Sequence, residues 1–175
     1  MYEIEVKVRV DDLDEVRSRL TEHRAEKHRD ESQTDVYYNA PHRDFAETDE
    51  ALRVRYTGGV PEITYKGPKI ASSGVKARRE INIRVDSGER FEDLLAQLGF
   101  TRTASVVKHR EEYRWHGASV ALDSVEGLGT FVEIEVMTED ERDGAEAHIH
   151  ELEKKLGVQG VHIPDSYLEL ILAKA

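Results

Sequence analysis

Apolar and charged residues alternate strictly at the start of the chain, from Tyr2 to Val10. The apolar set is Ile4, Val6, Val8 and Val10, and the charged set is Glu3, Glu5, Lys7 and Arg9. Because successive side chains of a strand point to opposite faces, this pattern predicts a β-strand with one apolar and one charged face. A charged face that simply meets water would give the same pattern, so one strand does not decide between the two interpretations.

The same alternation recurs in four later segments, 51–57, 61–66, 76–85 and 131–137. Each segment places apolar residues on one face and Arg, Lys or Glu on much of the other. If these strands close into a barrel covered by helices, the apolar faces pack outward and the charged faces line the lumen. The repetition therefore predicts an α+β fold built on a closed β-barrel, a tunnel with a charged lumen and with helices packed outside.

Other segments complete the predicted order of elements. Helical spacing of apolar residues predicts helices at about 11–25, 91–98, 139–156 and 166–173. Further strands are predicted at 34–39, 101–115 and 120–123, and Gly58-Gly59 is typical of a hairpin turn. The polar segments are predicted to be connections: 26–33, 40–49 (with a short extended piece) and 67–74.

The chain resembles itself weakly: the strand at 3–8 and the strand at 80–85 are each followed by a predicted helix. We predict a single domain over residues 1–175, made of two β-α-β-β-type halves at about 1–70 and 75–175. A length of 175 residues suits one domain of this size.

Composition narrows the classes of partner. The net charge is −11, from 25 Lys and Arg against 36 Asp and Glu, which argues against binding to nucleic acid or to an anionic membrane. The chain has no Cys, no apolar signal segment and no apolar run long enough for a membrane span, so a cytoplasmic location is predicted. The acidic surplus also fits a high-salt habitat, and a homodimer is left open as an assembly.

Four glutamates form two pairs, Glu3 with Glu5 and Glu133 with Glu135. A step of two residues puts both carboxylates of a pair on the same face of a strand. Two such pairs facing one lumen would repel each other unless cations lay between them, and hard ions such as Mg²⁺ or Mn²⁺ prefer oxygen ligands. The alternative is that each pair simply faces solvent.

Basic residues fall in phase with the same charged faces. Guanidinium groups bind phosphate oxygens in a bidentate manner and lysine supplies a compact charge, so these residues are candidate substrate ligands: Lys7, Arg53, Arg55, Lys66, Lys76, Arg78, Lys108 and Arg110. The alternative is ion pairing across strands on a solvated face. Asp123 ends a short strand near a Gly-containing turn, where it would be a metal-side carboxylate, a base or a turn cap.

These segments together resemble the CYTH superfamily, the triphosphate tunnel metalloenzymes. Glu3-x-Glu5-x-Lys7 matches the amino-terminal signature of that family. Later motifs are similar in their order along the chain: Leu52-Arg53-Val54-Arg55, Thr64-Tyr65-Lys66-Gly67-Pro68, Lys108-His109-Arg110, the segment 122–129, and Phe131-Val132-Glu133-Ile134-Glu135. Asp165-Ser166-Tyr167-Leu168 resembles the closing motif of the class IV adenylyl cyclase branch.

The resemblance implies an eight-stranded antiparallel tunnel that binds a triphosphate with Mg²⁺ or Mn²⁺. It implies metal roles for Glu3, Glu5, Glu133 and Glu135, with Asp123 nearby. It implies phosphate roles for Lys7, Arg53, Arg55, Lys66, Arg78, Lys108 and Arg110. Lys7, Asp123 and Arg110 are the candidate catalytic residues. Asn82 departs from the pattern, because relatives often have an additional acidic residue there.

The function implied is metal-dependent chemistry on a nucleoside triphosphate or another triphosphate. A class IV adenylyl cyclase, which converts ATP into cyclic AMP and pyrophosphate, is the first expectation. The alternative is hydrolysis of tripolyphosphate or thiamine triphosphate. A non-catalytic polyphosphate-binding module is third, and a plain acidic domain with solvated charged faces is a further rival. Neither nucleic acid nor membrane is expected as a partner.

Overall fold

The computed structural model describes residues 1–71, 76–139, 144–158 and 160–175. The strands are β1 (Tyr2–Arg9), β2 (Glu26–Asn39), β3 (Ala51–Tyr56), β4 (Glu62–Lys66), β5 (Ile70–Ala71), β6 (Lys76–Arg84), β7 (Thr101–Trp115), β8 (Ala118–Val125) and β9 (Gly129–Thr138). The helices are α1 (Leu13–Glu22), α2 (Phe45–Thr48), α3 (Gly88–Gln97), α4 (Ala145–Leu156) and α5 (Tyr167–Lys174).

Eight antiparallel strands form a closed ring in the order β1-β9-β8-β7-β2-β3-β4-β6. The ring closes because β6 also pairs with β1, where Glu3 lies opposite Arg78. The short strand β5 adds to the start of β6. Ring closure leaves each of the eight strands with a partner on both sides, and it confirms the predicted eight-stranded antiparallel tunnel.

The apolar faces of most strands pack outward under helices, as predicted, but in β6 Ile81 and Ile83 are exposed. In β1, Ile4, Val6 and Val8 belong to a buried cluster that α1 and α4 cover. That cluster includes Leu20 of α1 and Ile149 of α4, both fully buried. A second cluster packs Leu95 of α3 against residues of β2, β3 and β4, namely Val36, Val54 and Ile63. The charged faces are thereby left to the inside of the ring.

The helices begin at polar residues that cap them. The carboxylate of Asp12 accepts hydrogen bonds from the backbone N–H groups of Asp14 and Glu15 at the start of α1. Ser87 and Ser166 cap α3 and α5 in the same way. Each cap satisfies a backbone donor that the helix itself cannot.

The prediction that 26–33 is a connection is wrong. This segment is the first half of β2, which pairs with β7 over nearly its whole length. Opposite charges face each other across the pair, as in Glu26 with Arg114 and Glu31 with Arg110. Most of the segment is exposed, so no buried face imposes an alternating pattern on it. Hydrogen bonds with β7 make the segment 26–33 a strand, and nothing in its own sequence pattern indicates that β7 is its partner.

Three smaller boundaries also differ. The connection 40–49 contains the short helix α2, capped by Asp44, in place of an extended piece. The segment 67–74 contains β5 at 70–71, and its residues 72–75 lie outside the described part of the chain. The helix expected from 139 begins at Ala145, after Gly144 at its N-cap, and β9 extends to Thr138. Residues 140–143 lie outside the described part of the chain.

No helix in the described ranges combines the length and the apolar character needed to cross a membrane. The cytoplasmic location and the division into two halves stay predictions.

Candidate active site

The ring encloses a cavity of about 470 Å³ that is lined by side chains from all eight of its strands. The predicted site residues that line it are Glu3, Glu5, Lys7, Arg53, Arg55, Lys66, Arg78, Lys108, Arg110, Glu133 and Glu135. The charged faces therefore point into an enclosed lumen, and the alternative of solvated outer faces is excluded for these residues. Lys76 lies in β6 opposite Glu5, but its side chain is outside the described part of the structure.

Three carboxylates converge at one place on the lumen wall. One oxygen from each of Glu3, Glu5 and Glu135 lies within 4.8 Å of the other two. Glu3 and Glu5 are buried, and the ammonium of Lys66 donates to Glu3 at 2.6 Å. Burial and the negative charge of Glu3 raise the pKa of Glu135 well above its usual range. Such a cluster is costly without a cation, and its all-oxygen donor set fits Mg²⁺ or Mn²⁺.

Glu133 lies apart from this carboxylate cluster and faces two cations. Its Oε2 accepts from Nη2 of Arg110 at 2.8 Å, and its Oε1 lies 3.7 Å from Nζ of Lys7. Lys7 in turn lies 4.0 Å from Glu5. Lys7 and Glu133 therefore connect the carboxylate cluster to the basic part of the lumen.

Asp123 is fully buried and holds Arg110 in place. Arg110 donates to both of its carboxylate oxygens, from Nε at 2.7 Å and from Nη2 at 2.6 Å. The hydroxyl of Tyr167, in the first turn of α5, donates to the same carboxylate at 2.6 Å. Burial raises the pKa of Tyr167 well above its usual range, and the charges of Glu133 and Asp123 add to this effect. Tyr167 is therefore a neutral hydrogen-bond donor at physiological pH.

Asp35 is a central residue that the list of predicted ligands lacks. It is fully buried, and it accepts two hydrogen bonds from Arg55, at 2.7 and 2.8 Å, and one from Lys108 at 2.8 Å. Burial alone would raise its pKa, but the charges of Lys108 and Arg55 outweigh burial and hold the pKa well below the usual range. The sequence pattern did place Asp35 on the same strand face as Tyr37. The structure shows that Tyr37 lines the lumen, so this face is the inner one.

Glu80 is a second residue missing from the predicted set. It lines the lumen 3.4 Å from Lys66, whose charge overcomes the effect of burial and lowers the pKa of Glu80 to about 2. Asn82 donates to Glu80 at 2.7 Å and accepts from Thr64 at 2.7 Å. An acidic group thus lies two residues before Asn82, and the amide of Asn82 orients it.

Arg53 and Arg78 differ from the other lumen arginines. Nη2 of Arg53 donates to Thr64 at 3.4 Å, and Arg78 donates to the backbone carbonyls of Gly67 and Asp49. Within the described residues, no carboxylate oxygen lies within 4 Å of either guanidinium group. Carboxylates such as Asp35, Glu80 and Glu3 attract Arg53 only from beyond 4 Å, so hydrogen-bonding groups of both arginines stay available to an anionic ligand.

Binding of a triphosphate at pH 8 is expected to take up about one more proton in the unmodified protein than in Lys108→Arg. Burial lowers the pKa of Lys108 to about 7, although the charge of Asp35 opposes this. Lys108 is therefore mostly neutral at pH 8, and a bound polyanion would raise its pKa and charge it. Affinity should accordingly fall as pH rises above 7. Calorimetry in two buffers that differ in ionisation enthalpy measures the uptake.

The arginine variant is the control for that measurement, because its side chain stays charged and the ligand's own protonation is common to both proteins. Equal proton uptake by the two proteins would contradict the assignment to Lys108.

Comparison with known proteins agrees with this geometry. The sequence-family model described as the CYTH domain matches residues 1–167 of this chain. A Methanocaldococcus jannaschii protein named "putative adenylate cyclase" is 38% identical over 173 residues, which cover 97% of this chain and 98% of the relative. A solved structure of a Pyrococcus horikoshii protein is 39% identical, with a TM-score of 0.85 and 99% of each chain covered.

A more distant structure shares the fold. It is a Hippeastrum protein described as a "putative adenylyl cyclase" with a dominant triphosphatase activity, and it is 19% identical, with a TM-score of 0.73 over 98% of this chain and 96% of that chain. A charged lumen inside an eight-stranded ring and a family match over nearly the whole length lead to one assignment: this chain belongs to the CYTH family, whose enzymes act on triphosphates.

Proposed function

We propose that this protein is a divalent-metal-dependent adenylyl cyclase of class IV type, which converts ATP into cyclic AMP and pyrophosphate. The observation that carries the proposal is the meeting of two opposite charge sets in one lumen. A cluster of three carboxylates lines the same cavity as a set of arginines and lysines. A polyphosphate that is held by cations and metal ions matches both sets at once.

The carboxylate cluster, Glu3, Glu5 and Glu135, would hold Mg²⁺ or Mn²⁺. When bound, such an ion neutralises phosphate oxygens and stabilises the charge that develops on the transferred group. Glu133 was predicted as a metal ligand and Asp123 as a carboxylate near the metal. Both contact Arg110, so we assign them first to orienting that guanidinium. Glu133 also lies next to Lys7, within reach of the cluster.

The cations would bind and orient the triphosphate. Arg53 and Arg78 form no direct ion pair with a described carboxylate, so they are the first candidates for its oxygens. Arg110 is held rigidly by Asp123, and a fixed guanidinium can stabilise charge on a leaving pyrophosphate without reorganising. Lys7 lies between the cluster and Arg110, within 4.2 Å of the Tyr167 ring centroid, and its ammonium can reach a phosphate oxygen there.

In the cyclase reaction the 3′-hydroxyl of ATP attacks the α-phosphorus, and the bond from that phosphorus to the oxygen that bridges to the β-phosphorus breaks. Pyrophosphate leaves, and the proton of the hydroxyl is released with it. The lumen would fold the nucleotide so that hydroxyl and phosphorus are close, which is the main contribution that positioning makes to such a transfer. The M. jannaschii relative supports this choice over hydrolysis through its name and its 38% identity.

Hydrolysis of a triphosphate is the second candidate, because the same lining would serve a water attacking the terminal phosphorus. The Hippeastrum structure favours keeping it, since that protein combines a cyclase name with a dominant triphosphatase activity. The two reactions share ligands and differ only in the nucleophile.

Product analysis separates these functions. The purified protein would be incubated with ATP and with tripolyphosphate, each with Mg²⁺ and with Mn²⁺. Equimolar cyclic AMP and pyrophosphate from ATP are expected. Orthophosphate release would favour hydrolysis, and tight binding without turnover would leave a binding module. Absence of both turnover and metal-dependent binding would overturn the assignment of the lumen as a triphosphate site.

A further inference from the structure

A second cluster of ligating side chains lies outside the tunnel, on α4 and on the segment that follows it. His150 and Glu153 are three residues apart on α4, and His162 lies in the extended segment before α5. Carboxylate oxygens and imidazole nitrogens are common metal ligands. One such atom from each of these three residues lies within 4.8 Å of the other two. Nothing in the proposed triphosphate chemistry uses them.

The carboxylate of Glu153 is the centre of this cluster. It is only 6% exposed, yet both of its oxygens face imidazole rings. Nδ1 of His150 lies 2.8 Å from Oε2, and Nε2 of His162 lies 2.6 Å from Oε1. The two rings stack nearly parallel, 9° apart, with their centroids separated by 5.5 Å. Two ring nitrogens and one carboxylate are thus gathered in one small volume, with each nitrogen against a different oxygen of Glu153.

The backbone fixes where His162 lies. His162 forms a bridge with Val8 of β1, and the N–H of Ile163 donates to the carbonyl of Lys7 at 2.8 Å. Gly160 lies so close to β1 that a Cβ there would be 2.9 Å from Cγ1 of Val8. The imidazole is therefore carried on a segment attached to the outer side of the ring, and its position does not depend on a loose loop.

We propose that His150, Glu153 and His162 form a binding site for a single zinc-class divalent ion. Imidazole nitrogen suits Zn²⁺, Co²⁺, Ni²⁺ and Cu²⁺, whereas Mg²⁺ and Ca²⁺ select oxygen ligands, so this site and the tunnel cluster differ in the metals they accept. Two His and one carboxylate leave a fourth tetrahedral position for water. The ion takes the place of the two protons that now join the rings to the carboxylate.

The required movement is confined to side chains. Tetrahedral bonds of about 2.0–2.1 Å separate donor atoms by roughly 3.3 Å, so the nitrogen and oxygen atoms would part by about half an ångström from their present contacts. One imidazole would also turn out of the parallel stack, so that both ring nitrogens point at the ion. The ion would tie α4 to the segment that leads into α5. That segment continues to Asp165, whose carbonyl accepts from Lys7, and to Tyr167 in the lumen.

Titration of the metal-free protein with Co²⁺ and Zn²⁺ tests the site. The experiment uses the Glu135→Gln background, in which the tunnel cluster has lost a ligand. One equivalent of Co²⁺ should bind with the visible absorption of a tetrahedral complex, and Zn²⁺ should displace it and raise the melting temperature. Mg²⁺ should do neither. His162→Ala and Glu153→Gln should each weaken Zn²⁺ binding by more than about tenfold.

Two further variants keep the test decisive. His162→Gln can still donate an amide N–H to Glu153 but is a poor zinc ligand, so it should fold and still lose the ion. His148→Ala is the matched control: this neighbour on α4 contacts the carbonyl of His116 and should bind Zn²⁺ unchanged. No bound Zn²⁺, or equal affinity in His162→Gln and in the His148→Ala control, would overturn the proposal. The test needs no turnover, so its failure is separate from failure of the proposed cyclase activity.

Discussion

Replacing Glu135 by Gln is expected to lower metal-dependent turnover by about 100-fold or more while leaving the fold and its thermal stability intact. Burial and the negative charge of Glu3 raise the pKa of Glu135 well above its usual range, so the metal-free protein disfavours a charge at this position. Glutamine has nearly the same shape as the carboxyl group and carries no charge, so the free protein should tolerate it. A divalent ion needs the carboxylate, so the metal should bind poorly. Turnover as a function of Mg²⁺ and Mn²⁺ concentration, with thermal melts, checks both parts.

Glu112→Gln is the matched control for that variant. Glu112 lines the same cavity from β7 but is not a member of the group formed by Glu3, Glu5 and Glu135. Its removal should leave the metal concentration at half-maximal activity unchanged. Full activity of Glu135→Gln with an unchanged metal requirement would remove the carboxylate cluster from the metal assignment.

The inward direction of the charged residues was predictable because a strand has only two faces. Because the apolar residues of β1, β3, β4 and β9 pack under helices, the alternate charged positions of these strands point inside the ring. The alternation of apolar and charged residues thus predicted both the barrel and the charged lining of its lumen. It required no knowledge of which strands are neighbours.

The contacts inside the lumen were not predictable in the same way. They depend on strand order, and the ring runs β1-β9-β8-β7-β2-β3-β4-β6, so Asp35 of β2 meets cations from β3 and β7 on either side of it. The prediction that 26–33 is a connection was wrong for a related reason, because its pairing partner β7 is remote in sequence. The histidines likewise show no metal spacing, because His162 reaches α4 only through its attachment to β1.

The pairing of cations with carboxylates divides the lumen into two classes of positive charge. Arg55, Lys108 and Arg110 are each bonded to a buried carboxylate, Asp35 or Asp123. Such pairs orient a side chain but cancel part of its attraction for a phosphate. Arg53 has no carboxylate within 4 Å among the described residues, and its buried Nε lacks a hydrogen-bond partner there. Its charge is therefore the one most available to a ligand.

Arg53→Met is accordingly expected to weaken triphosphate binding by about 10- to 100-fold, which corresponds to the loss of hydrogen bonds to a charged group. The free protein should lose little stability, because Asp35, Glu80 and Glu3 attract the Arg53 charge only from beyond 4 Å and none of them forms a hydrogen bond with it. Calorimetric titration with tripolyphosphate and thermal melting of the same sample measure the two effects.

Arg110→Met provides the contrast for Arg53→Met. It leaves Asp123 and Glu133 without the cation they share, and it should lower the free energy of unfolding by about 3–5 kcal/mol. A loss of stability in Arg53→Met as large as that in Arg110→Met, or undiminished affinity for tripolyphosphate, would contradict the assignment of Arg53 as a phosphate ligand. Both variants should lose activity, so activity alone does not separate them. Arg53→Met should chiefly lower the affinity for the triphosphate, whereas Arg110→Met should chiefly destabilise the side chains that line the tunnel.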